Sequence, residues 1–386
     1  MKKAQIGFIG AGNFITAHHL LTARDSNVMA IRAIADIDKK RLEKHSSAMS
    51  IGYTTEDYQK VLSDPEIDIV IIGTKQDLHA NLIKESLDAG KWVFCEKPMA
   101  ETEDDTLMVL QAERDNPGKL AIGFNRRFAP AYMDVKKIFR SIKRPWYINY
   151  RLMYPNGDKR KKESFYAFHE RILYEGCHIL DLVCWFLEDC PTRIFMTGDR
   201  YLNNCCILEF GDGSQVSFMC GSMGTPCLWK EYMEIFGVDS AITVSDLVDM
   251  RVRGFEGKFD RLYTPYLGEH EKEIKKYGFD FYEGYKVEQH IKNFPEWENA
   301  EHVKRPTLVR FDAKKYKHEN PDLWGFVPDK GWVKSLEHFA QSFLDNKIPE
   351  NADGKAGALN TKLALMLLKS LETGKAINFS KERWFK

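Results

Sequence analysis

The first apolar segment of the chain ends in a glycine-rich turn, and this junction limits the folds that the chain can adopt. The apolar run at residues 4–9 predicts a short buried strand, and residues 15–23 have the pattern of a helix. Between them lie Gly10 and Gly12. Glycine lets the backbone approach phosphate oxygens closely, and a helix N-terminus offers unpaired N–H groups. The junction therefore predicts an α/β domain that binds the pyrophosphate of a dinucleotide.

The turn departs from the usual dinucleotide fingerprint at one position. The fingerprint continues with a third glycine or an alanine, and this chain has Ile15 there. We expect the larger side chain to loosen the contact between helix and strand. Asn13 and Phe14 follow the turn directly and join Gly10 and Gly12 as candidate cofactor-binding residues.

Asp36 closes a second apolar run, residues 28–35, and lies 24 residues after Gly12. A carboxylate there can accept hydrogen bonds from the adenosine ribose hydroxyls and would repel a 2′-phosphate. The cofactor is therefore expected to be NAD, while the nearby Lys39, Lys40 and Arg41 keep NADP as an alternative. The structural alternative is an aspartate that only caps the following helix.

The bulk composition favours a cytoplasmic protein without a metal. The chain has 386 residues, enough for two domains, and 56 basic residues balance 56 acidic ones. This neutrality gives no electrostatic case for binding nucleic acid or a membrane surface. Residues 1–3 lead directly into the first strand, so we expect no signal peptide. The eight cysteines form no C-x-x-C pair, and Cys177, His178 and Cys184 lack zinc-site spacing.

Short strands and helices alternate as far as about residue 125, which implies a parallel sheet with right-handed crossovers. Ligands of such sheets bind beyond the carboxyl ends of the strands. The residues expected at that edge are Gly10, Asp36, Thr74, Glu96 and Asn125.

Four segments resemble the Gfo/Idh/MocA oxidoreductases, a family that includes inositol and sugar dehydrogenases. They are Thr-Lys-Gln-Asp-Leu-His at 74–79, Ala-Gly-Lys-Trp-Val at 89–93, Cys-Glu-Lys-Pro-Met-Ala at 95–100 and Gly-Phe-Asn-Arg-Arg-Phe-Ala-Pro at 123–130. The resemblance implies a Rossmann domain with a doubly wound parallel sheet over residues 1–125. It further implies an α+β domain with an open, mostly antiparallel sheet over residues 126–386.

The resemblance gives Lys97 the central chemical role. A lysine beside the nicotinamide can hydrogen-bond the reacting hydroxyl, steer its proton and stabilise alkoxide character. The alternative for Lys97 is an ordinary solvated lysine. The cofactor-binding candidates in these segments are Thr74, Gln76, His79, Glu96, Lys97 and Asn125.

The second domain is predicted from strand-like segments that follow one long apolar helix. Residues 165–186 have the helix pattern, and strands are expected at 146–154, 192–197, 205–210, 215–220, 231–236 and 241–245, with a hairpin turn at 211–213. Residues 254–326 have weak periodicity and suggest an insertion or extended loops. Closing helices are expected at 332–343 and 356–371.

In the family the exposed face of this sheet commonly mediates oligomerisation, which implies a homo-oligomer, either a dimer or a tetramer. Phe218, Met233 and Ile235 are the candidate interface residues. The alternative is that these side chains pack on the helices of the domain instead.

The catalytic helix departs from the family pattern by one position. The family has an acidic residue four positions before a histidine, where this chain has Tyr174 before His178, and the acid is the adjacent Glu175. Residues three and four before His178 share its helix face, so Glu175 could orient the base or Tyr174 could relay a proton. The alternative for His178 is a core histidine with its hydrogen bonds satisfied. Asp181 is expected to hold the helix or His178 in place.

The substrate candidates are Lys97, Arg127, Tyr154, Glu175 and His178, although Arg127 and Tyr154 could instead support the domain junction. The resemblance implies NAD-dependent hydride transfer from a secondary alcohol of a sugar, sugar derivative or cyclitol, with Lys97 and His178 handling the proton. Two alternatives stay open. One is a non-redox enzyme that uses tightly bound NAD for transient oxidation in glycoside cleavage or epimerisation, and the other is an inactive nucleotide-binding protein.

Overall fold

The computed structural model describes residues 2–139, 141–153, 169–223, 230–255, 259–263 and 328–380. Tyr154 and most of the predicted insertion, including residues 264–327, lie outside the described residues.

The N-terminal sheet has six strands, and every neighbouring pair is parallel. They are β1 (Ala4–Ile9), β2 (Met29–Ala35), β3 (Tyr53–Thr55), β4 (Ile69–Ile72), β5 (Trp92–Cys95) and β6 (Leu120–Ile122). Their order across the sheet is β3-β2-β1-β4-β5-β6, which is the doubly wound arrangement. The predicted Rossmann fold is confirmed.

Helices cover both faces of this sheet, which is why its central strands are continuously apolar. They are α1 (Leu21–Asp25), α2 (Lys39–Ala48), α3 (Gln59–Ser63), α4 (His79–Asp88) and α5 (Glu103–Asp115). The helix expected at residues 15–23 begins as a π-helical segment, Ile15–Leu20, and becomes α-helical only in α1.

The loosened contact expected at Ile15 is not observed. The Ile15 side chain is buried, with 1% of its surface exposed, and it packs against Gly73 at the end of β4. A Cβ atom on Gly73 would overlap the Ile15 side chain. The space that the fingerprint usually gains from its third glycine is therefore provided here by Gly73.

The second sheet has nine strands. They are β7 (Tyr147–Met153), β8 (Arg193–Gly198), β9 (Asn203–Glu209), β10 (Gln215–Gly221), β11 (Glu231–Gly237), β12 (Ser240–Ser245), β13 (Asp249–Arg253), β14 (Arg261–Leu262) and β15 (Ile377–Asn378). Their order is β14-β13-β12-β11-β7-β10-β9-β8-β15, and only the β7–β10 pair is parallel. The expected mostly antiparallel sheet is confirmed. Helices α6 (Pro130–Phe139) and α7 (Cys177–Leu187) pack on its inner face.

The interface residues proposed for this sheet were assigned to the wrong face. Phe218, Met233 and Ile235 are buried in the core with α6 and α7, as the helix-packing alternative predicted. Strand alternation turns their neighbours outward. The large apolar side chains exposed on the outer face include Tyr147, Ile207, Met219 and Phe236.

Two late helices tie the sheets together. Helix α8 (Trp332–Leu344) packs on the first sheet, where Leu336 and Phe339 share a core with Phe8, so the Rossmann layers include a segment from far along the chain. Helix α9 (Gly354–Thr373) packs against both α5 and α7. Within the described ranges, no helix combines the length and apolar character needed to cross a membrane.

We expect Gly73→Ala to lower the free energy of unfolding by about 1–3 kcal/mol, because the added methyl group overpacks the Ile15 site. Ile15→Ala in the same chain should recover part of this loss, which a double-mutant cycle in urea would measure. Gly12→Ala is the matched control, since a Cβ there meets no atom within 4 Å. Additive effects of the two substitutions would contradict the packing explanation.

Candidate active site

The expected residues meet at the carboxyl edge of the first sheet. Gly10 follows β1 directly, Asp36 follows β2, Thr74 comes two residues after β4, and Glu96 follows β5. Asn125 begins a 3₁₀ turn, Asn125–Phe128, just after β6. The sequence therefore predicted this edge correctly.

The glycine turn has the shape needed to hold a pyrophosphate. Gly10 has a φ angle of +91°, and a Cβ on it would lie 2.6 Å from the Gly73 carbonyl oxygen, so only glycine suits this position. Gly12 faces open space, because a Cβ built there meets nothing within 4 Å. The residues present therefore fit the phosphates of a dinucleotide at Gly12.

Asp36 fixes the glycine turn from the adjacent strand. Its Oδ2 accepts a hydrogen bond from the Ala11 amide at 2.7 Å, and its Oδ1 accepts one from the Asp38 amide at 2.8 Å. Asp38, rather than Asp36, caps α2 by accepting from the amides of Lys40 and Arg41. The alternative in which Asp36 only caps this helix is therefore wrong.

His79 lies beneath the turn that carries Lys97. The ring is 1% exposed, and its Nδ1 donates to the Pro98 carbonyl at 2.8 Å, so it supports the turn from the protein interior. The Lys97–Pro98 peptide bond is cis. Thr74 and Gln76 lie at the more exposed edge of the same site.

Glu96 pairs with a histidine from the segment after the glycine turn. His19 Nε2 lies 2.6 Å from Glu96 Oε1, and both side chains are buried. Burial alone would raise the pKa of Glu96, but the hydrogen bond and charge of His19 outweigh it and lower the pKa. Gly123 leaves room for this pair, because a Cβ there would lie 3.0 Å from Glu96 Oε1.

A π-helical segment, Ile172–Gly176, precedes α7 and contains both candidate residues, Tyr174 and Glu175. The two side chains make different contacts. The Tyr174 hydroxyl donates to Glu101, and the Tyr174 backbone carbonyl accepts a hydrogen bond from Lys97 Nζ at 2.9 Å. The side chain of Tyr174 is thus directed to Glu101, which does not favour the proton-relay interpretation. Such π-helical turns often occur at functional sites.

Glu175 lies in the site with the catalytic candidates. Its Oε2 is 3.6 Å from Lys230 Nζ. Burial would raise the pKa of Glu175, but the positive charges of Lys230 and Lys97, with further contributions from His178 and Arg126, hold that pKa well below its ordinary value. Glu175 is therefore an ionised carboxylate whose charge interacts with those of Lys230, Lys97 and His178.

His178 is neutral and incompletely hydrogen-bonded. Burial lowers its pKa well below the ordinary value of a histidine, and the charges of Arg126 and Lys97 lower it further. Its Nδ1 is buried without a hydrogen-bond partner among the described residues. A core histidine with satisfied hydrogen bonds does not match this environment, whereas a neutral imidazole can accept a proton.

The structure adds a buried ionic cluster that the sequence analysis missed. Glu231, fully buried on β11, accepts two hydrogen bonds from Arg126 at 2.7 and 2.8 Å. Lys330 Nζ donates to the same carboxylate at 2.9 Å, and the Tyr150 hydroxyl donates at 2.7 Å. The cluster joins the end of the first sheet, the second sheet and the segment before α8.

Strand alternation in the sequence could have predicted that Glu231 is buried. Glu231 has the same parity on β11 as Met233 and Ile235, so it faces the core with them. A carboxylate in a core needs buried partners. Lys330 could not be assigned as one, because nothing in the pattern places it near β11.

Arg127 and Asp181 form the second ion pair at the domain junction. The guanidinium donates from Nε at 2.9 Å and from Nη2 at 2.6 Å to the two carboxylate oxygens. Asp181 thus holds α7 to the turn after β6, as expected for a residue that positions the helix. The same pairing gives Arg127 a role at the junction.

Comparison with known proteins identifies the N-terminal domain. Residues 4–124 match the family model described as an oxidoreductase family with an NAD-binding Rossmann fold, named for its members Gfo, Idh and MocA. Over these residues the N-terminal domain is similar to the Gfo/Idh/MocA oxidoreductases. Its cofactor is accordingly NAD, in agreement with the open glycine turn and Asp36.

Curated relatives of this chain match over part of their length. An uncharacterized oxidoreductase of Bacillus subtilis is 39% identical over 137 residues, which are 36% of this chain and 40% of that protein. An inositol 2-dehydrogenase/D-chiro-inositol 3-dehydrogenase of Lactiplantibacillus plantarum is 28% identical over 191 residues, or 48% and 53% of the two chains. The chain thus spans about half the length of the curated relatives that it matches.

The fold likeness extends over nearly the whole chain. The structure of scyllo-inositol dehydrogenase from Lactobacillus casei, solved with NAD(H) and scyllo-inositol, aligns with a TM-score of 0.73 and 17% identity. The alignment covers 98% of this chain and 99% of that one. At this identity the likeness establishes the two-domain fold.

In the part of the chain that the structure describes, no cluster of three or more His, Cys, Asp or Glu residues could hold a metal ion.

We expect Glu231→Ala to lower the free energy of unfolding by about 3–5 kcal/mol, because it leaves two cations buried without their carboxylate. Glu209→Ala, which removes the exposed partner of Arg193 on the outer sheet surface, is the control and should cost at most about 1 kcal/mol. Urea unfolding followed by circular dichroism measures both. Equal losses of unfolding free energy in the two variants would show that the buried cluster stabilises the fold no more than an exposed ion pair does.

Proposed function

We propose that this protein is an NAD-dependent dehydrogenase that oxidises a secondary alcohol of a cyclitol, a sugar or a sugar derivative. The observation that carries the proposal is the convergence of Lys97, Glu175 and His178 at the carboxyl edge of an NAD-binding sheet. The inositol dehydrogenases among its relatives support a cyclitol as the first substrate to test.

When bound, NAD supplies the oxidant for the carbon that carries the hydroxyl. Loss of the hydroxyl proton has to accompany this oxidation, and the chain provides two groups for it. His178 is neutral and can accept the proton directly. Lys97 Nζ, held by the Tyr174 carbonyl at 2.9 Å, can donate a hydrogen bond to the substrate oxygen and stabilise its negative charge.

Glu175 balances the charge of the site. It is ionised, and its carboxylate stabilises the imidazolium that forms when His178 takes the proton. The family pattern has an acid four positions before this histidine, and here the acid at three positions fulfils the same electrostatic role. Tyr174 contributes its backbone carbonyl rather than its hydroxyl.

The test is NADH formation, followed by absorbance, with a panel of cyclitols, sugars and uronic acids. We expect one substrate class to give turnover, and Lys97→Ala and His178→Ala each to lower kcat by about 100-fold or more, as for the loss of a general acid–base group. Tyr174→Phe should keep most activity, because it leaves the carbonyl that holds Lys97. Lys347→Ala, which removes an exposed lysine, should have no effect.

Other outcomes would contradict the proposal in distinct ways. Cofactor that copurifies and is reduced on the protein, without release of NADH, would indicate transient oxidation with no net redox change. Tight NAD binding with no turnover of any substrate would indicate a nucleotide-binding protein. A Tyr174→Phe variant as inactive as Lys97→Ala would restore the proton-relay role of the tyrosine.

We also propose that the protein is a homo-oligomer assembled through the outer face of the nine-stranded sheet. Tyr147 and Phe236 are cross-strand neighbours there, and a second exposed apolar pair, Met219 on β10 and Ile207 on β9, lies further along the same face. Large apolar side chains exposed together on one sheet face are typical of an interaction site.

We expect the double variant Ile207→Lys/Met219→Lys to give a smaller species than the wild type in size-exclusion chromatography with light scattering, because it places charges in the interface. Ile348→Lys is the control, since Ile348 is 82% exposed and lies on the loop before α9. A monomeric wild type, or an unchanged mass in the double variant, would disprove this assembly.

A further inference from the structure

The segment Lys330-Gly331-Trp332 crosses the carboxyl edge of the first sheet in a fixed position. Lys330 bonds the buried Glu231 through its side chain, and its carbonyl accepts a hydrogen bond from Asn125 Nδ2 at 2.7 Å. Gly331 has a φ angle of +83°, and a Cβ on it would lie 2.5 Å from the Asn125 carbonyl oxygen. Trp332 then begins α8. The contacts of Lys330 and Gly331 therefore fix the backbone position of Trp332.

Trp332 completes a group of three rings beside the glycine turn, here called the aromatic wall and consisting of Phe14, His18 and Trp332. The centroids of His18 and Trp332 are 3.9 Å apart with an interplanar angle of 32°. The Phe14 ring meets Trp332 edge-on at a centroid distance of 6.3 Å and lies tilted against His18 at 4.5 Å. Phe14 is nevertheless 41% exposed, so the wall has a surface that a ligand can contact.

The aromatic wall lies between the two ends of the proposed NAD site. Phe14 follows Gly12, where the pyrophosphate fits, by two residues. Its ring also contacts His19, which bonds Glu96 immediately before Lys97. A dinucleotide with its pyrophosphate at Gly12 and its reacting ring near Lys97 would have its nicotinamide riboside beside the wall.

The electrostatics of the aromatic wall suit an oxidised nicotinamide. Burial, together with the charge of His19, lowers the pKa of His18 to about 3, so the ring is neutral at physiological pH. A positively charged flat ring is attracted to aromatic faces, whereas a protonated histidine would repel it. The wall thus presents neutral rings to a cationic ligand.

We propose that Trp332 is a cofactor-binding residue, which contacts the nicotinamide riboside of NAD as part of the aromatic wall. The inference rests on NAD being the cofactor in the proposed function. It extends the binding site beyond residues 4–124, the part that matches the NAD-binding family model, to a residue at the start of α8. Cofactor binding would thereby be coupled to the segment that Glu231 holds in place.

The test is equilibrium binding of NAD alone to the full-length protein, measured by isothermal titration calorimetry without substrate. We expect Trp332→Ala to weaken binding roughly three- to tenfold, the loss typical of an aromatic contact, and Trp332→Phe to restore most of the affinity. Trp185→Phe, on α7, is the matched control and should bind as the wild type does. NAD should also quench tryptophan emission in the wild type and in Trp185→Phe, but less in Trp332→Phe.

The outcomes separate this inference from the proposed function. If the wild type does not bind NAD, the proposed function itself fails. If the wild type binds NAD and Trp332→Ala binds equally well, only the role of Trp332 is overturned, even when its KM for the alcohol changes. An unaltered melting temperature in Trp332→Ala, together with recovery in Trp332→Phe, would assign the lost affinity to the ring rather than to misfolding.

Discussion

The buried carboxylate of Glu231 is the constraint on which the arrangement of the two domains depends. It lies on the inner face of the second sheet, yet its donors come from the turn after β6, from β7 and from the segment before α8. A carboxylate deprived of water is stable only with such a set of donors, so each donor element is held where the carboxylate requires it. The position of Asn125 and of α8 follows, because Lys330 and Gly331 lie directly against Asn125.

The catalytic candidates depend on a second irregularity, the π-helical segment before α7. A regular helix would place residues three and four before His178 on the same face. In the observed backbone the Tyr174 carbonyl faces Lys97 while its hydroxyl bonds Glu101, and Glu175 joins the charges of the site. The one-position shift from the family pattern thus coincides with a local change in helix type, which explains how the acid can differ in spacing and still lie beside the histidine.

The glycine turn shows a comparable compensation between distant positions. Ile15 replaces the small residue of the fingerprint, and Gly73 provides the space from the end of β4. Substitution of one glycine by a bulky residue is thus tolerated because another strand end lacks a side chain. The contact stays close, and the open space above Gly12 is preserved for phosphate.

Local sequence patterns were enough to predict five of the six strands of the first sheet, all except the short edge strand β3, together with the residues at its carboxyl edge and the resemblance of this domain to the Gfo/Idh/MocA family, because these depend on short apolar runs and local motifs. It also determined that Met233 and Ile235 share a face, since alternation is a local property. Contacts seen in the folded chain were needed to show that this face is the core, that Asp38 rather than Asp36 caps α2, and that Trp332 lies beside Phe14. These outcomes depend on contacts between segments far apart in the chain, and a local pattern carries no information about which distant segment fills a given space.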